Sequence, residues 1–153
     1  MITPNPQLPK FLASYPEPII ELTMGLRNHI IEIAPNINEL IWDNYNALAM
    51  AYSTSEVLKD AFCHIAVYAK HINLGFNRGT QLNNNSKIIL EGNGKLIRHL
   101  KIYRAEDYST PEVELLVHEA LHLSETLNPN QQNQRKKRKS IVMSISEKKR
   151  RPL

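Results

Sequence analysis

The 153 residues of the chain are enough for one domain with a sizeable core, and an apolar content of 42% is typical of a globular protein. The formal charge of +4 is unevenly distributed, because residues 131–153 carry nine Lys and Arg and one acid, whereas the rest carries ten Lys and Arg and fourteen acids. The domain itself is therefore mildly acidic, and the sequence pI near 9.2 does not indicate a nucleic-acid-binding domain.

The cellular compartment is predicted from the cysteine content and from the lack of signal and membrane segments in the sequence. Cys63 is the single cysteine, so an internal disulfide is excluded. The N-terminus has no basic start followed by a long apolar stretch, and no segment reaches the ~18 consecutive apolar residues of a membrane span. We therefore expect a soluble cytoplasmic protein.

The N-terminal part predicts a helix after a short leader. Residues 1–15 are proline-rich and are expected to form an extended lead-in. Pro16 and Pro18 suit a first helical turn, because proline has the helical φ and lacks an N–H that would stay unpaired there. The helix should end near Ala34, since Pro35 disfavours helical geometry in the residue before it. Its apolar residues recur at spacings of three and four and should be buried: Ile19, Leu22, Leu26, Ile30 and Ile33.

Five segments rich in β-branched and aromatic residues follow and predict strands. They are ELIW (39–42), NALAMAY (46–52), FCHIAVYA (62–69), INLGF (72–76) and KLIRHLKIY (95–103). Alternation in the third segment places Cys63 and Ile65 on one face and His64 and Tyr68 on the other. The short connection through Lys70 and His71 predicts a tight hairpin and hence antiparallel pairing.

A second helix and a tail complete the predicted order. Thr110 is the expected N-cap with Pro111 in the first turn, and the buried stripe is expected to be Val113, Leu116, Val117, Ala120 and Leu127. Residues 129–153 have low complexity and blocks of like charge, so they are predicted to be a disordered basic tail. The fold class is thus α+β: a two-layer sandwich of helix, about five antiparallel strands and helix, over residues 16–128.

Several phrases of the sequence resemble the YdhG-like family, domain of unknown function number 1801. They are FLASYPEP, EIAP, FCHIAVYAKHINLGFNRG and LEGNGKLIRHLKI, and the resemblance covers about residues 10–127. Where family members have Pro-Asp-Pro in the loop, this chain has residues 83–86, NNNS. The resemblance implies a frataxin-like fold and an iron-chaperone role. Iron would be bound by an acidic ridge along and after the first helix, with Glu32, Glu39 and Asp43 as candidate ligands beside Glu17 and Glu21.

The second predicted helix contains HEALH, residues 118–122, which matches the helical zinc motif H-E-x-x-H. On the helical wheel His118 and His122 lie opposite the apolar stripe, toward solvent, and only Glu147 could supply a third ligand. A solvated helix face is the favoured interpretation. A two-histidine metal site helped by Glu114 or Glu125, and a metal-dependent hydrolase, are the alternatives.

Two further groups of polar residues are candidates for binding. Gly92-Asn93-Gly94-Lys95 is interpreted as a tight turn, because it lacks the spacing and the flanking elements of a phosphate-binding loop. Positive side chains cluster in and after it and form a candidate anion site: Lys95, Arg98, His99 and Lys101. The sheet face turned away from the helices is expected to present His64, Tyr68, Asn73 and His99, with Gly75 allowing a ligand to approach closely.

No complete catalytic constellation is present, so we expect a binding protein rather than an enzyme. The first hypothesis is an iron-binding domain of the kind that the family resemblance implies. The alternative is an interaction protein whose residues 131–153 bind nucleic acid or an acidic partner. Hydrolase chemistry at HEALH is the least favoured hypothesis.

Overall fold

The computed structural model describes residues 3–129 and 138–150. The architecture is α+β, as predicted, and no described helix has the length and apolar character needed to cross a membrane. The helices are α1 (Leu8–Leu12), α2 (Glu17–Ile33) and α3 (Thr110–Leu127). The strands are β1 (Asn38–Asp43), β2 (Leu48–Ser53), β3 (Ala61–Val67), β4 (Ile72–Phe76), β5 (Arg98–Ile102) and β6 (Ser140–Ile145).

The strands form one six-stranded mixed sheet in the order β5-β4-β3-β2-β1-β6. The five predicted strands are all present and each pairs antiparallel with its neighbour in sequence or, for β4 and β5, across the long loop. The sixth strand pairs parallel to β1. The expected sheet of about five antiparallel strands is therefore correct for its main part and incomplete at one edge.

The additional strand β6 lies in the segment predicted to be a disordered tail, so that prediction is wrong for residues 140–145. The edge of β1 offers unpaired backbone groups, and Glu39 N–H donates to the carbonyl of Lys139 at 2.8 Å. Ile141 and Val142 each pack against apolar side chains, on opposite faces of the sheet. Composition alone did not predict an ordered strand here, because the backbone hydrogen-bond partners of this segment are provided by the edge of β1. Of the predicted tail, residues 130–137 and 151–153 lie outside the described residues.

The N-terminal lead-in is also more structured than predicted. Residues 8–12 form helix α1 rather than an extended chain, and Leu8, Phe11 and Leu12 are buried in the core. Beyond the helix, the Tyr15 hydroxyl donates to the carbonyl of Val67 at 3.0 Å and accepts the backbone N–H of Leu48 at 3.2 Å. This segment is therefore part of the domain.

The helices pack on one face of the sheet and enclose the main core. α2 has the predicted bounds within a residue, and most of its apolar stripe is buried. α3 begins after an N-cap at Ser109, one residue earlier than predicted. Leu127 is 48% exposed, so its expected burial is wrong, and Ser124 occupies the last buried position of the helix instead.

The pleat of the sheet separates its two faces. Cys63, Ile65 and Val67 point to the helices, as the predicted alternation requires. The opposite face, here called the open face, carries a small apolar cluster of Leu40, Ala51 and Ala61 that includes no helical residue of the described chain. The register assigns these residues to the open face: Leu40, Trp42, Ala49, Ala51, His64, Ala66, Asn73, Gly75, His99 and Lys101.

Candidate functional site

The first feature of the open face is a cross-strand row of two histidines around a glycine. His64 on β3 pairs with Gly75 on β4, and Gly75 pairs with His99 on β5. His99 in turn faces Glu91, which bridges to the outer edge of β5 through two backbone hydrogen bonds of 2.8 Å. The His99 ring nitrogen and the Glu91 carboxylate are 4.0 Å apart. The predicted sheet-face residues His64, Asn73 and His99 thus lie on the open face, and the fourth, Tyr68, belongs to a ring stack on the same face.

The His64 ring is held in a fixed position over Gly75. Its Nδ1 is 2.9 Å from Asn77 Oδ1, and a Cβ built on Gly75 would lie 2.2 Å from His64 Nε2. Burial lowers the pKa of His64, and the charge of His99 lowers it further against the opposing effect of the Asn77 hydrogen bond. Since an amide oxygen only accepts, Nδ1 carries the proton and Nε2 keeps its lone pair. The space over Gly75, where a ligand was predicted to approach closely, is therefore occupied by the imidazole ring of His64.

At one end of the open face three rings form a stack. The Tyr68 and His71 rings are parallel within 18° with centroids 4.8 Å apart, and the Tyr103 ring lies 5.4 Å from His71 at a tilt of 45°. The hairpin between β3 and β4, closed by Tyr68 N–H donating to the His71 carbonyl, brings the first two rings together. Burial lowers the pKa of His71, and the neighbouring charges of Lys101 and His99 act in the same direction. This ring stack (Tyr68, His71 and Tyr103) leaves Tyr103 55% exposed.

A second cross-strand row has small side chains in its middle. Trp42, Ala49, Ala66, Asn73 and Lys101 are successive partners across β1 to β5. Asn73 Oδ1 is buried and has no hydrogen-bond partner within the described residues. An acceptor without a donor beside an exposed lysine is suited to a ligand that provides both an N–H and a negative charge.

The predicted anion site of four cations is not assembled in the structure. Arg98 is on the helix-facing side of β5, opposite in the pleat to His99 and Lys101, and its guanidinium donates to the carbonyls of Gly94 and Ile97 at 2.7 Å. Lys95 lies in the loop before the strand. The prediction is wrong for Arg98, and only His99 and Lys101 lie on a common face.

The predicted acidic ridge is also not formed. Glu39 is fully buried, where it accepts from Arg27 at 2.7 and 3.0 Å, from the Tyr52 hydroxyl at 2.9 Å and from the Ser140 hydroxyl at 2.6 Å. Asp43 is 3% exposed and pairs with Lys149 at 3.0 Å. Glu32 remains on the surface.

Within residues 3–129 and 138–150, no group of three His, Cys, Asp or Glu side chains is arranged to hold a metal ion. The iron ligands inferred from the resemblance are therefore not brought together. The neighbouring Tyr52 is buried as well. Its burial, followed by the charge of Glu39, raises the pKa of the Tyr52 hydroxyl, which therefore stays protonated and donates to Glu39.

The HEALH segment has a structural use. His118 and His122 are exposed on α3, as predicted. The Glu119 carboxylate between them accepts the backbone N–H groups of Asn83 and Asn84, the latter at 3.0 Å. Asn84 has a φ of 53°, the left-handed conformation that asparagine tolerates. The glutamate thus fixes the loop before β5 and is not free to activate water.

Trp42, His71, Asn77 and Tyr103 were not recognised as site residues from the sequence. Alternation within β1 could have placed Trp42 with Leu40, but the ring stack and the His64–Asn77 contact require the cross-strand register, which sequence spacing does not give. The geometry makes the open face the candidate binding surface. Comparison of the chain with protein-family models, curated proteins and solved structures finds no match.

Proposed function

We propose that this protein is a binding protein that holds an anionic ligand on its open face. The observation that supports this most is that His99 and the exposed Lys101 lie on the open face of β5, beside Gly75 and Asn73 of β4, whereas the helices of the described chain pack on the other face of the sheet. Neighbouring strands are about 4.8 Å apart, so these groups lie within reach of one small ligand.

The electrostatics of the open face favour an anion. Lys101 is exposed and forms no ion pair with a carboxylate of the described chain, so its charge is available. His64 and His71, whose pKa values are lowered, are neutral at pH 7 and add no positive charge, and the Nδ1–H of His64 is already donated to Asn77. An exposed ammonium group such as that of Lys101 binds phosphate and carboxylate through charge-assisted hydrogen bonds.

The YdhG-like resemblance, the frataxin-like fold and the iron-chaperone role that they imply remain proposals supported by sequence phrases alone. The carboxylates of Glu39 and Asp43 do not support iron binding, because both are buried and paired. Glu32 lies exposed and could contribute only with partners from elsewhere.

The basic segment offers a second candidate function, binding of nucleic acid or of an acidic partner. Lys148 and Arg150 are exposed at the end of β6, whereas Lys139 and Lys149 already pair with Glu56 and Asp43. Sequence-independent attraction to phosphates needs no folded site. This surface is therefore a weaker and less specific candidate than the open face.

Titration of ¹⁵N-labelled full-length protein with pyrophosphate tests the primary proposal. We expect amide shifts along β3, β4 and β5 that report the open face, and Lys101→Gln should weaken binding about tenfold or more, the loss of one charge-assisted hydrogen bond. Lys59→Gln, at an exposed lysine elsewhere, is the matched control and should bind like the parent. Shifts confined to residues 138–150, or equal affinities of the two variants, would contradict the proposal.

A further inference from the structure

The aromatic rings of the open face have no role in binding a bare anion. The ring stack ends at Tyr103, which is 55% exposed, so one face of an electron-rich ring is available at the surface. Trp42 lies at the other end of the small-residue row, packed against Leu40 and Ala51. Tyr103 is exposed and Trp42 is partly buried, and the accessible face of such a ring can stack on the planar ring of any nucleobase.

The row between these ends is a shallow floor. Ala49 and Ala66 separate Trp42 from Asn73 and Lys101, and the five strands crossed give the row a length of about 19 Å. The methyl side chains let a flat ring approach the sheet closely. His64 lies along one side of this row and the ring stack along the other. The surface thus accommodates an extended ligand that lies across the strands.

The polar groups of the floor match the edge and the backbone of a nucleotide. Asn73 Oδ1, buried without a partner in the described residues, accepts an N–H of the kind that nucleobase edges present. Lys101 is the exposed cross-strand partner of Asn73 on β5, Lys70 is exposed in the hairpin before β4, and the carboxylate of Glu91 lies 4.0 Å from the His99 ring. The domain as a whole is acidic, but the exposed ammonium groups of Lys101 and Lys70 can pair with phosphates.

We infer that the anionic ligand of the open face is single-stranded nucleic acid, with bases stacked on Tyr103 and Trp42 and phosphates paired with Lys101. This inference rests on the proposed function. Duplexes are disfavoured, because a flat sheet face does not enter a groove and the rings require unstacked bases. Ser144 of β6 is the partner of Trp42, so residues 140–145 form the neighbouring edge of the sheet, and Lys148 and Arg150 are exposed beyond its end.

Fluorescence anisotropy with a labelled oligothymidine, on the full-length chain at low salt, tests the inference. Stacking on one base predicts that Tyr103→Ala weakens binding by about 5- to 150-fold. Tyr45→Ala is the matched control, because Tyr45 is similarly exposed at 47% and lies outside the ring stack. Parent and variants are compared by thermal melting, which should show no loss of folding for either exposed tyrosine.

A duplex of the same length separates the open face from the basic segment. If only the basic segment attracted nucleic acid, duplex and single strand would bind with similar affinity, and the two tyrosine variants would have equal affinities. We instead expect the parent to bind the single strand at least tenfold more tightly than the duplex. Equal affinities of Tyr103→Ala and Tyr45→Ala, or no preference for the single strand, would overturn the inference. If pyrophosphate still shifts the open-face amides in that case, the proposed function stands; if it does not, both fail.

Discussion

The buried pair of Arg27 and Glu39 gives the sharpest prediction about stability. Replacement of Glu39 by Leu removes a carboxylate that accepts four hydrogen bonds and leaves Arg27, which is 2% exposed, without its ion-pair partner. Loss of one partner of a buried ion pair costs about 3–5 kcal/mol of unfolding free energy. For a chain of this length each kcal/mol lowers the melting temperature by about 2–4 °C, so we expect a decrease of about 6–20 °C.

Chemical denaturation and thermal melting of four proteins measure this effect: the parent, Glu39→Leu, Arg27→Met and the double variant. The double variant should recover most of the loss, because neither buried charge is then left unpaired. Glu32→Gln, at an exposed glutamate of α2, is the control and should change stability by less than about 0.5 kcal/mol. A cost for Glu39→Leu below about 1 kcal/mol would refute the reasoning that the pair is desolvated and interdependent.

Three other predictions concern β6, Gly75 and His64. Ending the chain after Asn130 should lower the melting temperature, because β1 loses its partner strand and a charged hydrogen bond worth about 1.5–3 kcal/mol; an unchanged melt would mean that β6 contributes nothing. Gly75→Ala should destabilise by about 1–3 kcal/mol, whereas Gly25→Ala, which meets no atom within 4 Å inside α2, should stabilise slightly in the same denaturation assay. The pKa of His64 is lower in the folded protein than the value of 6.5 in an unfolded chain, so its contribution to the free energy of unfolding is present above pH 6.5 and is lost as the pH falls through the folded-state pKa. Between these two pH values the melting temperature of His64→Gln should therefore decrease less than that of the parent.

Much of the fold could be predicted from local patterns. The helical spacing of apolar residues located α2, and the alternation around Cys63 gave the faces of β3, because both depend on neighbours in sequence. The same alternation places Glu39 with Ile41 on the buried side of β1, so the error about an exposed acidic ridge came from a family expectation rather than from the strand pattern. β6 could not be predicted this way, since its partner β1 lies 101 residues earlier.

The candidate site was only partly predictable for the same reason. His64, Asn73, His99 and Lys101 follow from alternation within their own strands. Their assembly into one surface depends on which strand lies beside which and in what register. Arg98 was an error of another kind, because alternation within β5 alone places it on the face opposite to His99, whereas the predicted cluster grouped the two by their proximity in sequence.

The parallel pairing of β6 with β1 also sets the order in which the protein can be completed during synthesis. β1 leaves the ribosome about 100 residues before β6, which at 5–20 residues per second corresponds to roughly 5–20 s. Throughout that time the nascent domain presents the bare edge of β1, and Glu39 lacks the hydroxyl that Ser140 later supplies. An exposed strand edge is a template for pairing with other chains. The C-terminal strand therefore ends a period of vulnerability to aggregation that every newly made copy must pass through.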